Sequence, residues 1–446
     1  MKTCSLRHLI LISLTLFSMF FGAGNLIFPP FLGQNAGTQA PLALIGFLIT
    51  AVGFPILGIV AVTRFHGLDK LAAKAHPRLG LLLAILIYLC IGPLLAIPRT
   101  ATVPFEMAIL PLLPQTLPAS FALALFSALF FFVCWMLARN PGKLVDRLGK
   151  MLTPLLLLLI VIVFAAMLAH PLGSAGPAQP VYAQHPLLQG FLEGYQTMDA
   201  LAALNFGIVI SLNIRALGIR DEQEVSRTSM KAGLLAGAIL ALVYFMLTWL
   251  GMELSSTPVL QNGAQTLSLA VVSLFGNGGL ILMVVIFLLA CATTCVGLLS
   301  SCSEFFSSLT PKISYRTWLL ILTVFAFVIS NFGLSAILSF STPILNMIYP
   351  MALVLTLLGL CDPLIHDQPL VYPMTVLAAG VVSILGELDA LGISIPLLSP
   401  LIRHLPLASF SLGWITIAII AFILALFFSR ILSRRQTPSR SIREKL

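Results

Sequence analysis

Runs of apolar residues, each about 20 residues long and separated by short polar stretches, recur along the whole chain. An apolar helix of that length crosses the ~30 Å hydrocarbon core of a bilayer, whereas a transmembrane β-barrel would show alternating segments of about 10 residues. The pattern therefore predicts an all-α polytopic membrane protein, embedded in the lipid bilayer by twelve transmembrane helices at about 9–36, 40–63, 79–110, 119–138, 151–170, 190–214, 232–250, 277–300, 317–331, 336–360, 370–390 and 407–428.

Two of the predicted spans are interrupted. Span 1 has two glycines and two prolines in the stretch FFGAGNLIFPP, and span 6 carries Gly194 and Asp199 inside an apolar run. Each interrupted span opens a group of five, and because five is odd the two spans start on opposite sides of the membrane. Paired interruptions of this kind are typical of inverted-topology repeats and mark the binding site. The predicted organisation is a first repeat at 1–170, a second at 190–360, and two peripheral helices with a basic tail at 361–446.

The interruption in span 1 predicts a ligand site. Breaking a helix inside a membrane frees N–H and C=O groups, which are tolerated only where they face protein, water or a ligand. Freed N–H groups suit a carboxylate, and freed carbonyls suit an ammonium group or an alkali cation. Gly22 and Gly24 let a ligand approach the backbone, Asn25 adds an amide, and Pro29 and Pro30 are expected to keep the hydrogen-bond ladder from closing. A kinked structural helix is the alternative interpretation.

Two further polar features lie inside apolar spans. A carboxylate near the centre of a span costs roughly 2.5–3.5 kcal/mol to insert, so Asp199 is a functional candidate. It either contacts the ligand or accepts hydrogen bonds from the freed N–H groups of the break. In span 8, the hydroxyls of Thr293 and Thr294 could join the Ala290 carbonyl in an oxygen cage for a hard cation such as Na⁺. Threonines in membrane helices also bond carbonyls of their own helix, which would leave no cage.

Other patterns give structural expectations. Span 3 is long enough to require a strong tilt, and Arg99 and Glu106 lie seven residues apart on it. We expect them to pair with each other, or Arg99 to pair with another carboxylate such as Asp199, in preference to a role in substrate chemistry. The stretch 64–78 has apolar residues at helical spacing and is expected to form a short helix on the membrane surface. The outer stretch 261–275 begins with a capping pattern and predicts a helix that either plugs the protein or lies on its surface.

Charge fixes the orientation. The chain is 59% hydrophobic and only 9% charged, with a net charge of +9. Twelve spans place 22 of the 24 Lys and Arg residues on one side, and such an excess marks the cytoplasmic face. The charge therefore indicates a multi-pass membrane protein with both termini in the cytoplasm, and it does not indicate a nucleic-acid partner. The first apolar run continues past Phe31 without a clear cleavage site, so it is interpreted as a span and not as a signal peptide.

Five stretches resemble the branched-chain amino acid:cation symporter family, within the amino acid–polyamine–organocation superfamily. They occur in the family's order, and their spacing and the number of spans agree with the family over essentially the whole chain. The resemblance places the protein in the bacterial cytoplasmic (inner) membrane. The resemblance implies a leucine-transporter-like fold, with a 5+5 inverted repeat and two peripheral helices, and ion-driven uptake of leucine, isoleucine and valine. The matching stretches are FFGAGNLIFPPFLGQNAG (20–37), GPLLAIPRTATVPFE (92–106), DRLGKMLTPLLLLL (146–159), GFLEGYQTMDALAALNFGIVI (190–210) and ACATTCVGLLSSCSEFF (290–306).

The resemblance also implies binding residues. The substrate carboxylate would lie at the break in span 1, the ammonium group against carbonyls of both breaks, and the apolar side chain near span 6. The substrate site would comprise Phe20, Gly22, Ala23, Gly24, Asn25, Thr197, Met198 and Asp199. A sodium ion between spans 1 and 8 would be bound by carbonyls of Ser18, Phe21 and Ala290 and by hydroxyls of Thr293 and Thr294.

Several alternatives stay open at this point. A transporter of the same fold could carry another apolar amino acid such as methionine, or be driven by protons with Lys150 as a cation surrogate. A membrane enzyme is disfavoured because all seven histidines lie at span ends or in loops, and a channel because no filter loop is repeated. We expect no cofactor beyond the coupling ion. The sequence predicts neither the preferred amino acid, nor the stoichiometry, nor the oligomeric state.

Overall fold

The computed structural model of the chain describes residues 4–114, 116–140, 150–260, 262–365, 367–396 and 398–436, with side chains up to residue 431 in the last range. These residues form helices joined by turns and short irregular stretches, and no strand occurs among them. Several basic residues that contribute to the charge prediction lie outside the described residues, namely Lys2, Lys143, Arg147, Arg440, Arg443 and Lys445.

The first half of the described chain runs from the N-terminus to the outer loop after span 5. Its α-helices are α1 (Leu6–Phe20), α2 (Ala23–Ala36), α3 (Ala40–Leu48), α4 (Phe54–Phe65), α5 (Leu68–Ala73), α6 (Pro77–Leu89), α7 (Ala96–Pro104), α8 (Ala119–Ala138), α9 (Thr153–Ala169) and α10 (Pro180–Gln184).

The second half contains the longest helices of the molecule. They and their connections are α11 (Pro186–Tyr195), α12 (Asp199–Ala216), α13 (Glu222–Glu253), α14 (Gly263–Phe275), α15 (Asn277–Leu309), α16 (Tyr315–Ser330), α17 (Leu334–Ile365), α18 (Val371–Ala390), α19 (Leu398–Arg403) and α20 (Gly413–Gln436).

Polar side chains begin several of these helices. The Ser5 hydroxyl accepts a hydrogen bond from the His8 amide ahead of α1, and the Asp221 carboxylate accepts one from the Glu224 amide at the start of α13. Such caps satisfy backbone donors that have no partner within the helix. They therefore place the ends of apolar helices in polar connecting segments.

The twelve predicted spans correspond to helices in the structure. By length and composition, ten segments among the described residues can cross a membrane. One of these, Ala23–Phe65, holds all of span 2 and half of span 1, whose other half is the 15-residue α1. The 16-residue α16 supplies span 9. The all-α polytopic fold is therefore confirmed, and broken or short helices explain the lower count.

The chain divides into two compact units. The first comprises the described residues of 1–64 and 88–341, and the second those of 65–87 and 342–436. Inside the first unit, α2 and α1 pack against α13, α11 packs against α3, and α12 packs against α15. In the second unit, α18 packs against α20 and α19. The repeat boundaries at 1–170 and 190–360 rest on a symmetry argument and stay a prediction.

Span 3 is not the continuous tilted helix that its length suggested. Helix α6 widens into a π-helical segment at Cys90–Leu94, Gly92 has non-helical angles there (φ −87°, ψ −125°), and α7 starts only at Ala96. Pro93 has no N–H for the ladder, and a Cβ on Gly92 would lie 2.9 Å from the Cys302 sulfur. The break therefore follows from a Gly-Pro pair at a crowded helix contact.

The short helix in 64–78 exists, but its apolar face does not contact lipid. It is α5, and its apolar residues Leu68, Leu71 and Ala72 are fully buried within the protein. Spacing predicted the helix correctly and could not distinguish lipid from protein as the partner of its apolar face. The outer helix is confirmed as α14, where the Asn262 side chain accepts hydrogen bonds from two amides of the first turn.

Candidate functional site

The break in span 1 consists of two non-helical residues, Phe21 and Gly22, between two helices. Helix α1 ends at Phe20 and α2 begins at Ala23, with Gly22 extended between them. The Gly22 amide donates to the Asn25 side-chain oxygen at 3.0 Å. In a continuous helix it would donate to the Ser18 carbonyl, so the break frees that carbonyl. The first amides of α2 likewise lack partners within the helix and carry its positive dipole end.

The prolines of the motif do not end the helix. Both Pro29 and Pro30 lie inside α2, which continues to Ala36. Because proline has no N–H, the carbonyls four residues earlier, Asn25 and Leu26, lose their usual helical donors. The prolines therefore weaken the ladder next to the break, and the break itself is made by Gly22.

The break in span 6 faces the one in span 1. Helix α11 ends at Tyr195 and α12 begins at Asp199, and Met198 adopts a left-handed conformation with φ 66°. A non-glycine residue in that region is strained and typical of functional sites. A Cβ added to Gly24 would lie 3.3 Å from the Thr197 Cα and 3.4 Å from the Gln196 carbonyl oxygen. The lack of a side chain at Gly24 therefore allows the two breaks to approach.

Asp199 is the centre of a buried polar network. Its Oδ2 accepts hydrogen bonds from the Asn25 side-chain amide at 2.6 Å and from the Tyr244 hydroxyl at 2.7 Å. The Asn25 amide also contacts the Tyr244 hydroxyl. All three side chains are at most 2% exposed. Asp199 therefore joins α2, α12 and α13, through side chains and not through the freed amides that the sequence suggested.

The two breaks line one small cavity, with a volume of about 30 Å³. All eight residues of the predicted substrate site lie on its wall, and so do several that sequence reasoning missed, above all Arg99 and Thr100 from α7. The apolar part of the wall, which could accommodate a hydrocarbon side chain, comprises Met19, Phe20, Ile91, Ala96, Met198, Ala202 and Leu298.

The residues of the expected cation cage lie next to this cavity. The Thr294 hydroxyl donates to the Ser18 carbonyl across helices at 3.2 Å, and the Thr293 hydroxyl donates to the Ala290 carbonyl of its own helix at 3.0 Å. Phe21 is fully buried beside them, where the chain has left helical geometry with ψ 87°. Thr293 thus makes the ordinary local bond, whereas Thr294 bonds the carbonyl that the break frees.

The expected ion pairs of Arg99 are absent. No carboxylate of a described residue lies within 4.0 Å of its guanidinium nitrogens, and Glu106 instead accepts a hydrogen bond from the Leu334 amide at 2.8 Å. Glu106 lies in a π-helical segment, Phe105–Ile109, so the regular α-helical spacing that the prediction assumed does not extend to it. Lys150, the alternative cation surrogate, is solvent-exposed, whereas Thr293 is fully buried.

Comparison with known proteins gives one family along nearly the whole chain. Residues 5–432 match the family described as branched-chain amino acid transport protein. The chain is 40% identical to the branched-chain amino acid permease BraB of Bacillus subtilis, with 98% of each chain covered. It is 42% identical to the branched-chain amino acid transport system 2 carrier protein of Pseudomonas aeruginosa, over 94% of this chain and 95% of that one. It is 38% identical to the permease BrnQ of Escherichia coli, over 97% and 98%.

Solved structures show the same fold at low identity. The nucleobase-cation-symport-1 family transporter Mhp1, in a closed conformation with bromovinylhydantoin bound, superposes with a TM-score of 0.62 at 12% identity, covering 95% of this chain and 93% of that one. A Na⁺-coupled sialic acid symporter in a substrate-bound outward-open state superposes with a TM-score of 0.58 at 15% identity, covering 93% and 89%. These matches agree with the leucine-transporter-like fold that the motifs implied.

Proposed function

Because the chain belongs to the branched-chain amino acid transport protein family, we propose that it imports leucine, isoleucine and valine by cation-driven symport, with Na⁺ as the coupling ion. The family model and the relatives confirm the resemblance that the five motifs indicated, and the chain is a membrane transporter and not an enzyme. The individual substrates, the ion and the direction of transport are the content of the proposal.

The observation that carries the proposal is the cavity between the two breaks. Its wall combines the N-terminus of α2 and polar residues of the span 6 break with a set of apolar side chains. A branched-chain amino acid has the same division, with a zwitterionic head group and a hydrocarbon side chain. The amides of α2 suit the carboxylate, and the apolar side chains of Ile91, Met198 and Leu298 suit the branched side chain.

Sodium coupling is supported by the chemistry of the donors between α1 and α15. The carbonyls of Ser18, Phe21 and Ala290 and the hydroxyls of Thr293 and Thr294 are all oxygen ligands, which hard cations prefer. Bound there, Na⁺ would supply positive charge that holds oxygen atoms of two helices together. Sodium coupling also occurs on this fold in the sialic acid symporter.

The arrangement supports coupling by alternating access. The carbonyl of Ser18 belongs to the half-helix whose end forms the cavity, and Thr294 belongs both to the cavity wall and to the cage. Full coordination therefore requires α1 and α15 to be close, which also closes one side of the substrate cavity. An ion that favours this closed arrangement raises substrate affinity, typically by roughly 5–150-fold.

The test is uptake of labelled leucine, isoleucine, valine and methionine into proteoliposomes, with Na⁺ and proton gradients imposed separately. Thr293→Val and Thr294→Val keep the shape but remove the hydroxyl oxygen, so the Na⁺ concentration for half-maximal uptake should rise about tenfold or more. Thr323→Val removes a buried threonine hydroxyl that bonds its own helix in α16, and should leave this value unchanged.

The outcomes separate the alternatives. If methionine is taken up in preference to the branched-chain amino acids, the proposed substrate is wrong and methionine takes its place. Uptake that follows an imposed proton gradient and ignores sodium would exclude the cage, and Lys150 would be the next residue to change.

A further inference from the structure

Arg99 is a buried cation that has no carboxylate partner among the described residues. Its side chain lies on the wall of the cavity and is only 4% exposed. The Nη1 atom has no hydrogen-bond partner, and no carboxylate of a described residue lies within 4.0 Å of the guanidinium group. The guanidinium carbon lies 5.9 Å from the centroid of the Phe28 ring.

This arrangement is costly unless an anion completes it. Arginine stays protonated in proteins, and a charge taken out of water without a partner is strongly unfavourable. A phenylalanine ring offers only a weak cation–π interaction at that distance. Inside membranes, such residues pair with other groups or mark the path of a substrate.

The guanidinium group lies at the positive end of a helix. A Cβ on Gly24 would be 3.1 Å from the Arg99 Nη2, so glycine at this position leaves that atom accessible from the first turn of α2. The unpartnered amides of this turn and the guanidinium group therefore converge on one part of the cavity. Planar, forked N–H donors match a carboxylate in a bidentate manner.

Asp199 lies on the wall of the same cavity with the opposite charge, and its Oδ2 is held by Asn25 and Tyr244. Two opposite charges on one wall that do not pair with each other leave room for a zwitterion between them. We propose that Arg99 binds the α-carboxylate of the amino acid, together with the α2 N-terminus, and so makes the site specific for a free carboxylate. This inference rests on the proposed transport of amino acids by the same cavity.

The experiment compares L-leucine with leucinamide, which keeps the side chain and the ammonium group but lacks the carboxylate. Affinities for both are measured on the purified full chain at saturating Na⁺, from the ligand-dependent rise of the thermal unfolding midpoint. Wild type should bind leucine at least about 30-fold more tightly than leucinamide, as expected for a buried charge pair. Arg99→Gln should remove most of this preference by weakening the binding of leucine alone. Arg99→Lys should show a preference between those of the wild type and Arg99→Gln.

Arg139→Gln is the matched control. Arg139 also lies over an aromatic ring, that of Trp135 at 4.9 Å, but it is exposed and does not line the cavity. The ligand-free unfolding midpoint reports whether each variant folds. If Arg99→Gln does not fold, the leucine-to-leucinamide ratio of Arg99→Lys decides, because this variant keeps the charge but loses the fork.

Two results would overturn the assignment: a wild-type protein that binds leucinamide as well as leucine, or an Arg99 variant that keeps the wild-type ratio. A purely structural role of Arg99 would weaken both ligands equally and so give the second result. A wild-type protein that binds none of leucine, isoleucine and valine would instead contradict the proposed function.

Discussion

At the scale of single residues, the polar network of Asp199, Asn25 and Tyr244 carries the contact between the two breaks. Asp199 and Asn25 are visible in the sequence because each interrupts an apolar run. Tyr244 is not, since a tyrosine in an apolar helix is ordinary and its partner lies 45 residues away. Only the structure supplies the physical signal: the Tyr244 side chain is 0% exposed, and a buried tyrosine hydroxyl needs a hydrogen-bond partner.

Changing Tyr244→Phe should impair transport without unfolding the protein. The substitution removes one of the two side-chain donors to the Asp199 Oδ2, and a hydrogen bond to a charged group contributes about 1.5–3 kcal/mol. We expect a roughly tenfold or larger fall in kcat/KM for leucine uptake, and a similar or larger fall for Asp199→Asn, which removes the charge.

Tyr372→Phe is the control for this pair, since the Tyr372 hydroxyl bonds the Asp362 carboxylate at 2.9 Å and neither residue lines the cavity. If the Tyr244→Phe and Tyr372→Phe variants take up leucine equally well, the network does not support the site.

Arg99 shows where reasoning from spacing fails at this scale. Its predicted pairing with Glu106 assumed one regular helix, whereas span 3 breaks at Gly92 and widens at Phe105–Ile109. The first irregularity has a signal in the sequence, Gly92 and Pro93, whereas no such pair precedes the second. The presence of an arginine inside the span was visible, but not that its side chain lines the cavity between the two breaks.

At the scale of elements, glycines let α3 and α11 pack backbone to backbone. A Cβ on Gly190 would overlap the Ala43 carbonyl oxygen, and one on Gly46 would overlap the Leu187 carbonyl oxygen. Close approach of this kind drives helix association in membranes, where small residues replace the hydrophobic effect. The packing holds the outer half of span 6 against span 2, and so fixes one side of the break that begins after Tyr195.

Gly190→Ala and Gly46→Ala should each destabilise the protein. The added methyl group meets backbone atoms, which cannot rotate away, and overpacking typically costs about 1–3 kcal/mol. We expect a lower thermal unfolding midpoint in detergent and less folded protein in the membrane. Gly278→Ala is the control, because a Cβ there meets nothing within 4 Å and alanine favours the helix. Equal midpoints for Gly190→Ala and Gly278→Ala would contradict the backbone contact.

Hydrophobic periodicity predicted where helices lie better than what they touch. All twelve spans have a helix near their expected bounds, and the breaks of spans 1 and 6 lie at the predicted motifs. The break in span 3 was missed, although Gly92 and Pro93 signal it, because a Gly-Pro pair alone does not distinguish a kink from a break. The buried face of α5 was assigned to lipid for a similar reason, since apolar spacing is the same for both partners.

At the scale of the whole molecule, the charge distribution predicts how the chain crosses the membrane. Positive charges cluster in alternate loops only if the number of spans is right, so the count of twelve and the cytoplasmic location of both termini depend on each other. The helices agree with the count, and the orientation is a separate prediction of the charge pattern. Two accessible cysteines, Cys4 ahead of α1 and Cys361 near the end of α17, make it measurable.

Cys4 and Cys361 should both react with a membrane-impermeant maleimide in inside-out vesicles and not in intact cells. Ten predicted spans separate them, which places them on one side, and the other five cysteines are buried. Labelling is best done at pH 8, because burial raises the pKa of the Cys4 thiol and only the thiolate reacts.

Ser174→Cys, in the exposed outer loop of a Cys4→Ser/Cys361→Ser protein, should give the reverse pattern. Reaction of Cys4 and Cys361 on opposite sides of the membrane would exclude an even number of spans between them. Reaction of both cysteines in intact cells would show the opposite orientation, with both cysteines outside the cell, and would contradict the orientation assumed for import.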